Sequence, residues 1–446
     1  MVKVITYGTY DLLHHGHIRL LERAKALGDH LIVGVTAEDF DKNRGKINVQ
    51  QSLMERIEAV RATGLADEII VEEYEGQKID DIRRYDVDIF TVGSDWVGKF
   101  DYLNEYCKVV YLDRTEGVSS TEIRAEKLQI RLGLTGCNNI LLKHMRESAL
   151  VNGVEVSCIY TAEEKLRSGA ESEGVALAES YEQLLDCSDA VYIVSHPREH
   201  YGQIRQALLR GKHVLCESPI ALKESECKEL FQLADEKGLV LMEAIKTAYS
   251  TAYNRLLLLL KSGKIGDVVS VDAACTSLIT EKNPDYAVQW NSICAWGPTA
   301  LLPVLQILGT YYQHSTMTSW IANAEHQFDA FTKMDFLYKN AVASIRVGNG
   351  VKSEGELIIS GTKGYAYVPA PWWKTDYFEI RYEDPKENKR YFYQLEGEGI
   401  RYEIVAFAKS IQQKRDHAYV NRSVSQQIAS LMERYHSGKD MTMLEL

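Results

Sequence analysis

The sequence lacks an apolar stretch long enough to cross a bilayer. Its longest notable apolar run covers residues 256–260, whereas a membrane-spanning helix needs about 20 such residues. The amino terminus leads directly into a strand pattern, without the charged, apolar and small-residue zones of a signal peptide. The eight cysteines include no CxxC pair, which favours reduced and mostly buried thiols. We therefore expect a cytoplasmic protein with no membrane-inserted segment.

Positive charge is scarce as well. The 51 lysines and arginines stand against 63 acidic residues, which gives a formal net charge of −12. This balance argues against nucleic acid or an anionic membrane as the partner, although a local basic cluster could still hold a nucleotide. Internal repeats are absent too, and 446 residues exceed the size of one ordinary domain. We expect two or three domains.

The most informative stretch, residues 6–17, reads Thr-Tyr-Gly-Thr-Tyr-Asp-Leu-Leu-His-His-Gly-His. The β-branched residues before it predict a buried strand, and the apolar spacing after it predicts a helix that ends near Gly28. His14 and His17 would then lie at a strand-to-helix turn, where backbone N–H groups and the helix dipole favour an anion. There they could stabilise charge on a reacting phosphate. The alternative is a pair of surface histidines.

Strand and helix patterns alternate through the first 128 residues. Further strands are predicted at residues 31–36, 68–71, 89–93 and 109–112, with helices at 52–63 and 77–84. This alternation predicts a doubly wound parallel sheet. Ligands bind beyond the carboxyl ends of such strands, where the loops at residues 9–17 and 93–96 would converge.

A second block, residues 114–121, reads Arg-Thr-Glu-Gly-Val-Ser-Ser-Thr. With both blocks, residues 1–128 resemble the HxGH nucleotidyltransferases of the glycerol-3-phosphate cytidylyltransferase type. The resemblance implies CTP and a small polyol phosphate as substrates, Mg²⁺ accompanying CTP, and a CDP-polyol for a surface polymer as product. It implies catalytic roles for His14, His17, Lys46 and Arg114.

The candidate nucleotide- and phosphate-binding residues lie in the same loops and in the second block. They are Gly8, Thr9, Tyr10, Asp11, Arg44, Gly93, Asp95, Trp96, Thr115, Ser119, Ser120 and Thr121. Several have simpler alternatives, because hydroxyl residues often only cap helices, the aspartates could only bond the loops, and Trp96 could belong to the core. Arg44 and Ser94 depart from the family pattern, which usually has a lysine and an acidic residue there.

The remainder of the chain shows a second alternating pattern followed by strands. Over residues 129–266 we predict strands at 130–136, 154–159, 190–195, 213–216 and 239–242, with helices at 201–209 and 223–237. Over residues 267–446 we predict an antiparallel sheet with strands at 268–272, 341–347, 356–359, 378–382 and 391–393, covered by helices including 402–413 and 424–435. The predicted fold class is α/β, with two Rossmann-like units and a final α+β part.

Residues 211–219 and 261–266 read Gly-Lys-His-Val-Leu-Cys-Glu-Ser-Pro and Lys-Ser-Gly-Lys-Ile-Gly, and they resemble the Gfo/Idh/MocA oxidoreductases. The likeness spans residues 130–438 and implies an NAD(P)-binding fold. However, Asn138 replaces a glycine of the family's GxGxxG turn, and the acidic residue that would hold the ribose is absent near residues 160–161. Ser218, Ala295 and Thr299 replace the family's lysine, aspartate and histidine.

Glu217 and Lys246 remain as a candidate site in this region, with Lys246 either a substitute amine or an ordinary surface lysine. We expect a degenerate oxidoreductase-like domain for dimerisation or substrate control, in a homodimer or larger homo-oligomer. One alternative is a bifunctional enzyme that reduces a sugar or keto phosphate with NAD(P)H. Another is a ligand sensor.

Overall fold

The computed structural model describes most of the chain. Its described ranges are 1–37, 49, 51–73, 77–113, 129–151, 153–279, 286, 289–374, 376–393 and 396–445, without the side chains of Asp95 and Glu396. The chain divides into two compact units, Met1–Gln129 and Ile130–Leu446. No helix within the described ranges is long and apolar enough to cross a membrane.

The first unit is built on a parallel sheet. Its strands are β1 (Lys3–Gly8), β2 (His30–Thr36), β3 (Glu68–Glu72), β4 (Ile89–Gly93) and β5 (Lys108–Leu112), in the order β3-β2-β1-β4-β5. Its described helices are α1 (His15–Lys25), α2 (Leu53–Ala62) and α3 (Gln77–Tyr85). The predicted doubly wound sheet is confirmed. Residues 121–128 lie outside the described residues.

Apolar side chains cover both faces of this sheet. Leu21 of α1 and Val60 of α2 pack with Val4 on one face, whereas Ile82 of α3 packs with Phe90 on the other. The strand order reverses direction between β1 and β4, so the carboxyl ends of these two strands form the topological switch point of the sheet.

The second unit begins with another parallel sheet. Its strands are β6 (Ile130–Gly136), β7 (Val154–Tyr160), β8 (Ala190–Val194), β9 (His213–Glu217) and β10 (Leu241–Ala244), in the order β10-β9-β8-β6-β7. The helices are α4 (Ile140–Ser148), α5 (Glu164–Ser172), α6 (Tyr181–Asp186), α7 (Pro197–Leu209) and α8 (Glu224–Lys237). The predicted second Rossmann-like unit is confirmed, with its switch point between β6 and β8.

One cysteine pair departs from the expectation of reduced thiols. Cys158 of β7 and Cys187, the residue after α6, form a disulfide, so that expectation is wrong for this pair. The two cysteines are 29 residues apart in sequence. Their proximity results from the packing of α6 against the sheet, which no local cysteine motif signals.

A third sheet completes the second unit. Its strands are β11 (Val268–Thr276), β12 (His314–Asn323), β13 (Phe328–Leu337), β14 (Val342–Gly348), β15 (Leu357–Gly361), β16 (Tyr365–Val368), β17 (Tyr377–Arg381), β18 (Lys389–Phe392) and β19 (Met441–Met443). Their order is β18-β17-β16-β15-β11-β14-β13-β12-β19. The sheet is mixed rather than purely antiparallel, because β11 pairs with β14, and β12 with β19, in parallel.

Four longer helices accompany this sheet in the described ranges. They are α9 (Thr251–Lys261), α10 (Ser292–Leu308), α11 (Ile400–Gln413) and α12 (Arg422–Ser437). The predicted helices at 402–413 and 424–435 correspond to α11 and α12, whereas α9 and α10 were not predicted. Short 3-10 helices follow β10 at Lys246–Tyr249 and precede α11 at Glu396–Gly399.

Gly34 of β2 offers a direct test of the packing in the first unit. A methyl group at Gly34 would lie 2.2 Å from the ring of Tyr7, its partner in β1. We expect Gly34→Ala to lower the stability of this unit by about 1–3 kcal/mol through overpacking. Gly202→Ala in α7 is the control, because the added methyl has no atom within 4 Å in the part of the chain that the structure describes. It should be neutral or stabilising by about 1 kcal/mol. Calorimetric unfolding measures both, and equal effects would contradict the packing described.

Candidate active site

The loop after β1 has an unusual backbone. Tyr10 and Leu12 have φ angles of 52° and 47°, in the left-handed region that residues other than glycine rarely adopt. The Tyr10 ring is buried and passes close to Gly8, where an added methyl would lie 3.0 Å from it. Contacts elsewhere must therefore hold this loop in shape.

Arg56 of α2 supplies the strongest of these contacts. Its side chain is fully buried, and one guanidinium nitrogen donates hydrogen bonds to the carbonyl oxygens of Thr9 and Thr36, both at 2.8 Å. The ε nitrogen donates to the carbonyl oxygen of Gln51 at 3.2 Å. One planar cation thus joins the loop after β1, the end of β2 and the approach to α2.

Gln51 and Asp11 form a second connection. The backbone N–H of Gln51 donates to Oδ1 of Asp11 at 3.0 Å, and the backbone N–H of Leu12 donates to Oε1 of Gln51 at 2.7 Å. The side chain of Asp11 is buried, and in the structure it bonds the loop. Next to Gln51, a capping box fixes the start of α2: Oγ of Ser52 accepts from the N–H of Glu55, whose carboxylate accepts from the N–H of Ser52.

The two histidines of the motif lie against each other at the start of α1. Their ring centroids are 3.9 Å apart and the planes differ by 22°. Nδ1 of His14 accepts a hydrogen bond from the N–H of Gly16 at 3.1 Å, so a neutral His14 carries its proton on Nε2. His14 is the N-cap of α1, and the positive end of the helix dipole favours an anion at this position.

The end of β4 lies beside this loop. Thr6 of β1 pairs with Thr91 of β4, so the strand ends at Gly8 and Gly93 are neighbours. A methyl group at Gly93 would meet no atom of the described residues within 4 Å, so these residues leave space at this strand end. The ring centroid of Trp96, in the short helix that follows, lies 5.8 Å from that of Phe100. Trp96 therefore contributes to the core on at least one side.

The structure thus brings together part of the predicted site. Gly8, Thr9, Tyr10, Asp11, His14, His17, Gly93 and Trp96 gather at the switch point of the first sheet. Lys46, Arg44, Arg114, Thr115, Ser119, Ser120 and Thr121 lie outside the described residues, as does the side chain of Asp95. Arg56 and Gln51 were not predicted. One sequence feature could have indicated Arg56: it lies four residues before Val60, so a helix places this cation on its buried apolar face.

The turn after β6 in the second unit retains one feature of a dinucleotide site. Gly136 has a φ of 154°, and a methyl group there would lie 2.5 Å from the carbonyl oxygen of Val194. The other contacts differ, because Oδ1 of Asn138 accepts from the N–H of Ile140 at 3.0 Å within the turn itself. After β7, the family has an acidic side chain that would hold a ribose. Here the hydroxyl of Thr161 accepts a hydrogen bond from the backbone N–H of Glu163.

The positions of the family's catalytic groups are also occupied differently. The hydroxyl of Ser218 donates to the buried carboxylate of Glu243. Ala295 and Thr299 both lie in α10. These side chains cannot act as the proton donors or cations that they replace.

Glu217 and Lys246 do come together, in a cluster at the ends of β9 and β10. The hydroxyl of Tyr192 donates to Oε1 of Glu217 at 2.6 Å. Burial raises the pKa of Glu217 to about 7, and the nearby Lys246 ammonium only partly offsets this effect. Glu403 of α11 is fully buried in the same cluster, and burial likewise raises its pKa. Lys246 is 19% exposed and forms a salt bridge with Glu398.

A small pocket lies beyond the carboxyl end of β8. Its lining includes His196, Arg198, His326 and His436. Burial lowers the pKa of His196 and of His436, so both imidazoles are predominantly neutral at pH 7. Arg198 adds a guanidinium to a lining that also contains apolar side chains such as Leu222 and Phe328.

A doubly wound sheet with an HxGH pair at its switch point defines the first unit as a nucleotidyltransferase unit. The model of the cytidylyltransferase-like family matches residues 5–126, and by this region the chain belongs to that family. The region is 49% identical over 126 residues to glycerol-3-phosphate cytidylyltransferase from Bacillus spizizenii, an alignment that covers 28% of this chain and 97% of that protein.

The second unit is similar to oxidoreductases. The model of the oxidoreductase family with an NAD-binding Rossmann fold, the Gfo/Idh/MocA family, matches residues 130–245. Over 151 residues the chain is 36% identical to dTDP-3,4-didehydro-2,6-dideoxy-alpha-D-glucose 3-reductase from Streptomyces violaceoruber, covering 33% of this chain and 44% of that protein. The crystal structure of KijD10, a 3-ketoreductase from Actinomadura kijaniata, has the same fold, with a TM-score of 0.63 at 20% identity over 71% of this chain and 99% of that one.

Arg56→Lys tests whether the buried guanidinium holds the loop. A lysine cannot supply the forked donors, so the carbonyl oxygens of Thr9 and Thr36 should lose partners. We expect the amide of Leu12 to exchange with solvent at least tenfold faster, about 1.4 kcal/mol in local opening. Hydrogen exchange measures this change. Arg61→Lys, at an exposed position of α2, is the matched control and should leave the exchange unchanged. Equal exchange in both variants would show that Arg56 does not hold the loop.

The raised pKa of Glu217 predicts a pH dependence in the second unit. Between the ordinary carboxyl range and about pH 7, the folded state retains a proton that the unfolded state has released, so stability falls as pH rises. Glu217→Gln should reduce this fall by about 1–3 kcal/mol.

Denaturant unfolding from pH 5 to 8, followed by tryptophan fluorescence, measures this effect. Five of the six tryptophans, at positions 290, 296, 320, 372 and 373, belong to the second unit. Glu155→Gln, at an exposed position of β7, is the control. The same pH slope in wild type and Glu217→Gln would contradict the assignment.

Proposed function

We propose that the first unit transfers the cytidylyl group of CTP to a small polyol phosphate, glycerol 3-phosphate or a close analogue, and so forms a CDP-polyol. The observation that carries this proposal is the 49% identity to a glycerol-3-phosphate cytidylyltransferase over 97% of that protein. The stacked His14 and His17 at the positive end of α1 support it chemically.

In this reaction, a phosphate oxygen of the polyol phosphate attacks the α-phosphorus of CTP. The new P–O bond forms in line with the bond to the β-phosphate oxygen, which breaks and takes its electron pair away with pyrophosphate. The attacking group is already an anion, so the protein needs no covalent nucleophile. Mg²⁺ enters as part of the Mg·CTP substrate and shares the charge of the triphosphate.

The side chains of the loop stabilise the charge that moves onto pyrophosphate. Nε2–H of His14 and the imidazole of His17 donate to phosphate oxygens, and the N-terminus of α1 adds its dipole. Lys46, Arg44 and Arg114 add positive charge. Thr115, Ser119, Ser120 and Thr121 add donors from the second motif.

The nucleoside part of CTP occupies the space between the two strand ends. Gly8, Thr9 and Gly93 line this space, and Trp96 forms a wall for the base. Asp95 accepts from a nucleotide hydroxyl, while Tyr10 and Asp11 hold the loop through their buried side chains. These roles are parts of the same proposal.

The second unit acts as a degenerate oxidoreductase domain, and we place its internal boundary at residue 266. The residues of the turn after β6 and of the segment after β7 do not fit NAD(P) well, because Asn138 occupies a glycine position and Thr161 bonds its own backbone. Its remaining roles are dimerisation or control of the transferase, in a cytoplasmic homo-oligomer. The fold leaves two alternatives: reduction of a sugar or keto phosphate with NAD(P)H, and sensing of a ligand.

His14→Ala and His17→Ala test the transferase proposal. Each substitution removes a donor aimed at developing charge, which costs about 3 kcal/mol or more, a hundredfold or greater loss in rate. Pyrophosphate release from CTP with glycerol 3-phosphate measures this loss, and ATP should be a poor substrate in the same assay. The matched control is His15→Ala, an exposed histidine between the two, which should stay within about twofold of wild type. Retention of more than half the rate by either active-site variant would refute the assignment.

The second unit should not catalyse ordinary nicotinamide-dependent reduction. Hydride transfer to a carbonyl requires a held nicotinamide and a proton donor at the oxygen, and Ser218, Ala295 and Thr299 supply neither. The measurement is the absorbance of NADH and NADPH in the presence of dihydroxyacetone phosphate or ribulose 5-phosphate, with active cytidylyl transfer as the control. Turnover of about one per second or faster, abolished by Lys246→Ala, would make this a two-step enzyme.

A further inference from the structure

Three lysines of the second unit converge on a single carboxylate. The ammonium groups of Lys143, Lys246 and Lys374 lie 3.0, 2.5 and 3.1 Å from carboxylate oxygens of Glu398. The lysines come from three separate elements: α4, the segment after β10, and the short helix at Trp372–Lys374. This convergence is a feature of the folded unit and has no counterpart in a local sequence motif.

The cluster has more positive than negative charge. One carboxylate faces three ammonium groups, and their hydrogen bonds outweigh the effect of burial and hold the pKa of Glu398 at about 2. Glu147, one turn further along α4, is already paired with Arg401 at 2.8 Å. Burial raises the pKa values of Glu217 and Glu403, which limits the negative charge available on the inner side of Lys246. Among the described side chains, three ammonium groups therefore share the one ionised carboxylate of Glu398.

The segment that carries Glu398 has a strained backbone. Glu398 has a φ of 53°, and the flanking Gly397 and Gly399 have φ angles of 59° and 91°. A methyl group at Gly399 would lie 2.4 Å from the carbonyl oxygen of Lys246, so the segment is pressed against the cluster. A glutamate rarely adopts this conformation without a tertiary cause. The salt bridges of its side chain supply that cause.

The cluster also occupies a chemically suitable place. Lys246 follows the carboxyl end of β10, and α4 follows the carboxyl end of β6, so both belong to the edge where such sheets bind ligands. Lys143 and Lys374 are 49% and 37% exposed, so a ligand can approach from solvent.

We propose that Lys143, Lys246 and Lys374 form a phosphate-binding site that Glu398 occupies in the absence of ligand. The ligand is a phosphate dianion, free or as a monoester, which balances the three ammonium groups better than one carboxylate does. When it binds, the carboxylate of Glu398 leaves the lysines and the strained segment 396–399 relaxes. This site lies in the second unit, and it does not depend on the transferase proposal.

Lysine acylation of the full-length chain, read by peptide mass spectrometry, tests the site locally. Inorganic phosphate is titrated at constant ionic strength, so that general screening is the same at every point. We expect phosphate to protect the three lysines together. In Glu398→Gln, half-protection should occur at about tenfold lower phosphate, because the site no longer has to be vacated. Because the readout is residue-specific, it reports on these three lysines and does not count phosphate bound to the first unit.

Glu173→Gln is the matched control. It removes a carboxylate that pairs with Arg146 of the same helix α4, outside the cluster, and should leave the half-protecting phosphate concentration unchanged. If Glu398→Gln does not fold, Glu398→Asp serves instead. The aspartate keeps the charge but is one methylene shorter and reaches the lysines less well. Its half-protecting phosphate concentration should therefore lie below that of wild type, by less than tenfold.

Two results would overturn the proposal: no phosphate protection of the three lysines in any variant, or the same phosphate dependence in wild type and both Glu398 variants. The salt bridges would then be purely structural. Repeating the titration with glycerol 3-phosphate distinguishes the two sources of the dianion. Tighter protection by the ester assigns the site to a phosphate monoester, and tighter protection by inorganic phosphate assigns it to the free ion.

Discussion

A buried guanidinium holds the loop on which the candidate chemistry of the first unit depends. Arg56 donates to the carbonyl oxygens of Thr9 and Thr36, where the chain leaves β1 and β2. Without these bonds, two carbonyl oxygens in the interior would lose a partner, at a cost of about 1–3 kcal/mol each. The loop could then leave the left-handed conformations at Tyr10 and Leu12 that bring the chain round to His14. The geometry of the candidate site therefore depends on a fully buried residue that bonds the backbone of the loop.

The two units share a sheet topology but differ in the side chains at the switch point. In each, strand order reverses at a central pair, and the carboxyl ends of that pair form the switch point. In the first unit the described residues leave the strand end at Gly93 open, and the histidines follow the neighbouring strand end at Gly8. In the second, Asn138 bonds within its own turn and Ser218 bonds to Glu243. The fold alone therefore does not establish the function of the second unit, which has to be inferred from its own side chains.

The elements predicted correctly were those whose burial follows a simple period. The central parallel strands of both units are buried on two faces, and the parallel strands appear as short apolar runs, so their positions could be predicted within about two residues. Strand β12 was missed because its inward positions include Ser315 and Ser319, and hydroxyls there hide the alternation. Helix α10 was missed because it is apolar on most sides and contains Pro298 and Pro303.

The features that could not be predicted from the sequence are contacts between distant segments. His14, His17 and the glycines of the site could be predicted because they lie within one stretch at a strand-to-helix turn. Arg56 and Gln51 reach the same loop from about 40 residues away, and the lysines around Glu398 come from three elements. Such sets of residues can be identified only once the order of the strands is known, because the sequence does not show which distant segments lie close together.

The central claim is that the first unit only positions and stabilises charge, while the polyol phosphate attacks CTP directly. The stereochemical course at the α-phosphorus tests this claim most directly. The full-length chain is given CTP with sulfur in place of one α-phosphate oxygen, in a single configuration, together with glycerol 3-phosphate. One in-line displacement predicts inversion at phosphorus in the CDP-polyol product. Retention would require two displacements through a nucleotidyl-protein intermediate and would contradict the claim.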